Sequence, residues 1–249
     1  MRITKTFKKL SAIIMVFAML FGVLPMLSNG ITAKASSNPV KFHSTELMIT
    51  RYGNSRFDIY IQVEAGSAAT KAVSVHYEDT YLGKWLDEEA TFFTKTDDNT
   101  EIWKATVSGY GLNQFAIKYV GDGHTYWDNN NGSNYKFREY VGAANIKSMR
   151  LTYQSSEYYR IQAAVKNLSY NKIVKVRYTE DNWATWTDVD LDYDAPISET
   201  NSEIWAVTLN LDPAKRDSFH YCLYYQVNGQ TYWDNNFGAN YDSSYTRPY

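Results

Sequence analysis

The stretch Thr231-Tyr232-Trp233-Asp234-Asn235-Asn236-Phe237-Gly238-Ala239-Asn240-Tyr241 decides how the chain is read, because it occurs twice. The earlier copy is Thr125-Tyr126-Trp127-Asp128-Asn129-Asn130-Asn131-Gly132-Ser133-Asn134-Tyr135, and nine of the eleven residues agree. Agreement of that density marks internal duplication, which must be recognised before any segment is read alone. Each copy begins as a strand and ends in a polar turn. It sets a large flat aromatic beside a row of amides at the end of a sheet, a surface chemically suited to sugar rings.

Outward from this stretch the duplication continues. Ile61-Gln62 matches Ile161-Gln162, Lys71–Tyr77 matches Lys172–Tyr178, and Glu101–Val107 matches Glu203–Leu209. The repeat of about 101 to 106 residues lengthens along the chain through small insertions in the second copy, such as the one before Phe219. A period of this length is a duplicated domain, not a solenoid unit. Within each copy apolar residues alternate with period two, at Phe57–Val63, Val73–Tyr77, Ile102–Val107 and Phe115–Val120, then Tyr159–Val165, Ile173–Tyr178, Ile204–Leu209 and Phe219–Val227. β-Branched and aromatic residues dominate these runs, and Gly, Asn and Asp punctuate them. Gly121-Asp122-Gly123 and Asn228-Gly229 predict hairpin turns. No stretch shows a convincing helical period. About seven or eight short strands per hundred residues predict a β-sandwich. The chain therefore reads as all-β, with two antiparallel sandwiches in tandem, 36–141 and 142–249. The short join near Gly142-Ala143-Ala144-Asn145 predicts that they sit close together.

Residues 1–35 read as a secretory signal. Lys5, Lys8 and Lys9 precede an apolar run from Leu10 to Leu27, and Ala33-Lys34-Ala35 supplies a small-x-small cleavage pattern. The alternative is a retained anchor, since the run is nearly long enough to span a bilayer. No second run of that length follows, which excludes a polytopic membrane protein. The expected setting is extracellular. Removing the five basic residues of the signal leaves 20 Lys and Arg against 27 Asp and Glu, a net charge of −7. That balance offers no basic footprint for nucleic acid and no attraction to anionic lipid. A neutral partner fits better. The single Cys222 rules out an intramolecular disulfide, and its apolar surroundings read as core. The 22 Tyr, 7 Trp and 11 Phe are more than small cores can hide, so several must face solvent, where stacking on a ligand is their natural use.

The second copy resembles a known family. Val165–Tyr170 precedes a strand, followed by Val176–Val189 with its Asp181-Asn182-Trp183, then Tyr193–Ile197, Glu203-Ile204-Trp205, and Tyr225 through Asn236. Their order and spacing look like the family 21 carbohydrate-binding modules, over nearly all of Asn145–Tyr241 and, more loosely, Phe57–Tyr135. The resemblance implies immunoglobulin-like sandwiches that bind α-1,4-glucans (starch, glycogen, amylose), with no catalysis and no cofactor. It implies a first sugar surface at Trp183 and Trp233. A third aromatic of that surface is replaced by Cys222. It implies a second surface at Asn167, Tyr170 and Tyr193. In the first copy Leu82, Ala69 and Ala116 stand where Trp183, Tyr170 and Cys222 stand, while Trp127 and Phe92 match Trp233 and Tyr193. The first copy is expected to bind more weakly or differently.

Stacking on a Trp or Tyr plane covers the C–H face of a pyranose, and an Asn amide can bridge neighbouring hydroxyls. The turn amides Asn235, Asn236 and Asn240, with Asn129, Asn130 and Asn134, can serve either sugar or turn structure. Trp103 and Trp205 lie mid-strand and read as core; Trp85 and Trp186 align with each other and could be core or rim. Glycoside hydrolysis needs two converging carboxylates. Asp87-Glu88-Glu89 reads as a solvated loop, and Asp190, Asp192 and Asp194 as one face of a strand. The four His residues have no zinc-ligand spacing. Val40-Lys41-Phe42 resembles, weakly, a docking motif of phosphatase-targeting family members, but lacks the basic residue before it. The reading is a secreted, non-catalytic tandem α-glucan binder, acting beside a separate amylolytic enzyme. Its alternative is an adhesion or scaffold module for another glycan or a protein.

Overall fold

The structure, a computed structural model, describes residues 38–49, 54–96, 98–153 and 157–245. The predicted signal, 1–35, lies outside the described residues. Residues 36–249 form one compact unit.

The first half holds β1 (Val40–Ile49), β2 (Ser55–Val63), β3 (Lys71–Asp79), β4 (Lys84–Glu89), β5 (Thr91–Lys95), β6 (Glu101–Gly109), β7 (Leu112–Gly121), β8 (His124–Asp128) and β9 (Tyr135–Lys136). The second holds β10 (Ile146–Tyr153), β11 (Tyr158–Lys166), β12 (Lys172–Thr179), β13 (Thr187–Asp190), β14 (Asp192–Ile197), β15 (Ser202–Asn210), β16 (His220–Val227), β17 (Gln230–Asp234) and β18 (Tyr241–Asp242). The sheets of the first half run β1-β2-β6-β5 and β4-β3-β7-β8, with β9 also on β7. Those of the second run β10-β11-β15-β14 and β13-β12-β16-β17, with β18 also on β16. The strand order is the same in both halves, and the pairings are antiparallel. Two antiparallel sandwiches in tandem, as the alternation predicted, are what the chain adopts.

Period two explains which side chains face inward. In β3, Val73, Val75 and Tyr77 are buried while Ser74 and His76 face outward. In β12, Val174 and Val176 are buried and Arg177 is not. Tyr221, Leu223, Tyr225 and Val227 of β16 line the second core, and Phe115, Ile117 and Tyr119 of β7 line the first. Each such buried side chain contributes roughly 1.5–3 kcal/mol. The β7–β8 and β16–β17 hairpins turn on Asp122-Gly123 and Asn228-Gly229. All four residues have left-handed φ, 48° and 80°, then 51° and 74°. That is the two-residue turn whose twist suits a hairpin.

A third apolar cluster joins the halves through Tyr140, Val141, Met149, Ala164 and Ile197. The connecting chain clings to β1: Gly142 N–H donates to His43 O at 2.9 Å and Ala143 N–H to Phe42 O at 2.7 Å. A Cβ on Gly142 would stand 2.3 Å from Phe42 O, so no larger residue fits there.

Three local expectations need correction. Asp87-Glu88-Glu89 lies in β4 rather than in a loop, because it pairs with His76, Val75 and Ser74 of β3. Asp190 belongs to β13 while Asp192 and Asp194 belong to β14 in the opposite sheet. The chain crosses between the sheets at buried Leu191, the residue between the two strands. The insertion before Phe219 folds as a short 3-10 helix of about two turns, Pro213–Ser218. Asp212 caps it by accepting from Ala214 N–H at 2.9 Å, and Pro213 sits where a helix lacks a bonded N–H.

Candidate functional site

The outer face of β13-β12-β16-β17 gathers the polar-phase residues of four strands. Arg177 of β12 opposes Asp188 of β13 on one side and Cys222 of β16 on the other. Its guanidinium donates twice to Asp188, Nε to Oδ1 at 2.7 Å and Nη2 to Oδ2 at 2.8 Å. The fork raises the guanidinium's affinity for its proton and holds the Asp188 carboxyl below its ordinary range. Tyr224 also donates its hydroxyl to Asp188, at 3.2 Å. Thus fixed, the Arg177 cation stands 5.3 Å from the Trp233 ring centre and 5.5 Å from that of Trp186, within cation–π range of both. Trp233 pairs across the strands with Tyr224, rings 4.8 Å apart and tilted 38°. The two indoles remain 57% (Trp186) and 49% (Trp233) exposed. Cys222 is buried beneath this face, and burial pushes its thiol up to about 11, which suppresses thiolate reactivity.

The ring across Arg177 from Trp233 is Trp186, not Trp183. Trp183 is half-buried in the β12–β13 loop. The loop is pinned by Thr179 Oγ1, which accepts from the Asp181 and Trp183 N–H groups, and by Asp181, which accepts from the Thr185 N–H and hydroxyl at 2.8 and 2.7 Å. The Thr179 and Thr185 bonds hold the Asp181 carboxyl at about 2. Trp183 takes a left-handed φ of 70°, a strained conformation for a bulky residue.

Two side-chain amide atoms of each copy of the repeated turn are committed to its own backbone. Asn235 Oδ1 accepts from Gly238 N–H at 3.0 Å, and Asn236 Nδ2 donates to Asn240 O at 3.0 Å. Asn129 accepts from Gly132 at 3.1 Å and Asn130 donates to Asn134 O at 3.1 Å in the same way. Asn134 Nδ2 donates to Gln114 at 3.4 Å. Between the two uses left open by the sequence, the turn engages these atoms; a ligand has only the remaining ones, such as the Nδ2 of exposed Asn235. Asp234 anchors the turn to β18 and β10 by accepting from the Tyr241 hydroxyl at 2.8 Å and from Ser148 N–H. Beside Trp233 the turn opens into a cleft of about 330 Å³ between the sandwiches, to which the first contributes Lys95 and Thr96.

The predicted second surface is partly assembled. Lys172 Nζ donates to Asn167 Oδ1 at 2.6 Å and to Glu203 Oε2 at 2.7 Å, and Glu203 accepts from Trp205 Nε1 at 3.0 Å. Tyr193 meets Trp205 edge-on, rings 6.1 Å apart. Tyr170 is 96% and Tyr193 54% exposed. In the first half Lys71, Glu101, Trp103 and exposed Phe92 repeat this chain, with Phe92 edge-on to Trp103 at 6.2 Å. Trp103 and Trp205 pack against the cores but remain half-buried, since their indole N–H groups reach out to these carboxylates. Trp127 is exposed on β8 and Tyr126 packs inward, as are Trp233 and Tyr232. Sequence reasoning missed Arg177, Asp188 and Tyr224 and left Trp186 open. The signal that could have found them was the shared outward phase of Arg177, Asp188 and Trp186, in strands that the β12–β13 hairpin pairs. Among the described residues no group of three or more His, Cys, Asp and Glu could hold a metal ion.

A rigid sheet face bearing exposed indoles around an immobilised polar core defines a class of protein, the β-sandwich modules that present aromatic rings to a ligand. Within that class, residues 144–244, in the C-terminal sandwich, match the model of the carbohydrate/starch-binding module of family 21. Protein phosphatase 1 regulatory subunit 3C of Bos taurus is 38% identical over 80 residues, 31% of this chain and 25% of that protein. Glucoamylase 1 of Rhizopus oryzae is 38% identical over 87 residues, 34% of this chain and 14% of that enzyme. The chain thus spans a quarter or less of the length of either. Among solved structures, the starch-binding domain of Rhizopus oryzae glucoamylase in complex with β-cyclodextrin and maltoheptaose is 32% identical, with a TM-score of 0.34, covering 41% of this chain and 93% of that one.

Proposed function

We propose that this chain is a secreted, non-catalytic binder of α-1,4-glucan, and that Trp186 and Trp233 form the platform on which glucose rings stack. The observation that carries the reading is the pair of half-exposed indoles flanking one immobilised guanidinium. Preorganised rings lose little freedom on binding, so more of the apolar area they cover appears as affinity. The amide nitrogen of Asn235 and the carboxylate of Asp188 offer a donor and an acceptor for sugar hydroxyls beside the rings. Tyr170 and Tyr193, with Asn167 between Lys172 and the solvent, form a second, separate contact. The match of residues 144–244 to the starch-binding family supports the choice of α-glucan. The basic, apolar and small-residue pattern of 1–35 supports export.

A hydrolytic role is disfavoured by the acids themselves. Asp190 is paired with Lys175 at 3.1 Å and Asp194 with Arg160 at 2.8 Å, on opposite sheets, so they do not converge on one bond. A phosphatase-docking role for Val40-Lys41-Phe42 is disfavoured because Val40 and Phe42 are buried in β1. Affinity electrophoresis tests the reading. The chain should be retarded in amylose and glycogen gels and run freely in β-glucan and mannan gels, with little dependence on salt because no ion pair with the ligand is involved. Free migration in all four gels would favour the protein-adhesion alternative instead.

A further inference from the structure

The N-terminal sandwich, which the family match does not cover, carries the same constellation in different residues. His76 of β3 opposes Asp87 of β4 and Ala116 of β7, as Arg177 opposes Asp188 and Cys222. Its Nδ1 bonds the Asp87 carboxylate at 2.5 Å. The imidazole stacks on Trp85, rings 4.8 Å apart and only 16° from parallel, and meets Trp127 edge-on at 5.5 Å. Lys118, opposite Trp127 in register, places its ammonium 5.8 Å from that ring and 3.8 Å from Asp87. Trp85 is 38% and Trp127 42% exposed. Beyond Trp85 the β3–β4 turn presents Tyr81 and Leu82 to solvent, where the second half has Asn182 and Trp183.

We propose that Trp85, His76 and Trp127 form a second glycan platform, for the same class of neutral α-glucan as the C-terminal face. The inference rests on the α-glucan reading of that face. A bare apolar ladder would need no polar group between its rings. Here imidazole, carboxylate and ammonium interleave two indoles, which supplies ring faces together with hydrogen-bond donors and acceptors. The site differs from the one implied by resemblance, which would have used the Leu82 position. Here the second ring is Trp85, three residues further along, in β4. Two platforms on one compact unit give bivalent capture, with an avidity gain of ~10²-fold over either site alone when one polysaccharide reaches both.

The chain's seven Trp indole N–H groups give seven resolvable signals, assigned by single Trp→Phe variants, in a ¹⁵N-Trp-labelled sample of the full mature chain titrated with maltoheptaose. We expect Trp85 and Trp127 to shift together along one isotherm, and Trp186 and Trp233 along another, while Trp205, edge-on to Tyr193, reports the separate contact there. His76→Ala should weaken the first isotherm several-fold and leave the second unchanged. If Trp186 and Trp233 shift while Trp85 and Trp127 stay fixed at saturation, the second platform is refuted and the C-terminal reading survives. If neither pair moves, the α-glucan reading itself fails, and the second platform with it.

Discussion

Arg177 shows how one residue can order a surface without touching the core. Its side chain is about a third exposed, so its ion pair with Asp188 adds under about 1 kcal/mol to folding. Its larger effect is geometric, because it fixes the indoles of Trp186 and Trp233 on either side. Arg177→Ala should leave the melting temperature within a few degrees of wild type and weaken maltoheptaose binding at the C-terminal face about tenfold, the loss of roughly 1.4 kcal/mol of cation–π ordering. Calorimetric titration beside a thermal melt separates the two effects. At this scale the sequence was partly legible. Trp233 outward and Tyr232 inward followed from alternation and resemblance. Trp186 could not be chosen over Trp183, because the choice depends on which of them the loop brings beside Arg177, just ahead of β13. Phe237 was equally hidden. It holds a left-handed φ of 55° where the first copy has Asn131, and it is kept there by packing on Tyr60, Phe93 and His43 across the junction.

The repeated turn is an element built around one carboxylate. Asp234 accepts from Tyr241, Asn236 N–H and Ser148 N–H, so it ties β17, β18 and β10 together. Charge-assisted bonds of this kind contribute about 1.5–3 kcal/mol each before losses are shared. Asp234→Ala should therefore lower the unfolding free energy by about 2–4 kcal/mol, whereas Asn235→Ala, which removes one turn cap, should cost only about 1 kcal/mol. Urea unfolding of the two variants checks the ranking, and equal losses would mean that the turn is held mainly by its backbone. The turns and the strands were readable because Asn-Gly and Asp-Gly pairs and period-two runs act locally. The 3-10 helix at Pro213–Ser218 was not, since six residues give too short a window for a helical period. The division of Asp190 from Asp192 and Asp194 was hidden as well, because a sheet-to-sheet crossing leaves the alternation of acids unbroken.

For the molecule as a whole, the junction between the sandwiches adds a pH dependence. Burial first, and then the nearby Lys147 ammonium, hold the His43 imidazole down at about 4, against a smaller opposing pull from Asp234. In the unfolded chain the ring takes a proton near 6.5. Between those values the unfolded state binds more protons, so stability rises with pH across that window and is fully present above it. Acidifying from pH 7 to pH 4 should remove on the order of 2 kcal/mol through this group. His43→Gln should flatten that part of the profile; an unchanged slope in the variant would place the effect elsewhere. The tandem arrangement was legible from the duplication alone. The tight seam was legible only as proximity, because its contacts draw on residues such as Phe237, which breaks the match between the copies where the first has Asn131.

The most direct measurement is retention of residues 36–249 on insoluble starch, compared with their folded Trp186→Ala/Trp233→Ala variant at equal concentration. The double variant should lose ~10²-fold or more in apparent affinity, the consequence of reducing two linked platforms to one. Retention of that variant at the wild-type level, with its melting temperature intact, would show that the Trp186–Arg177–Trp233 face is not where the glucan binds.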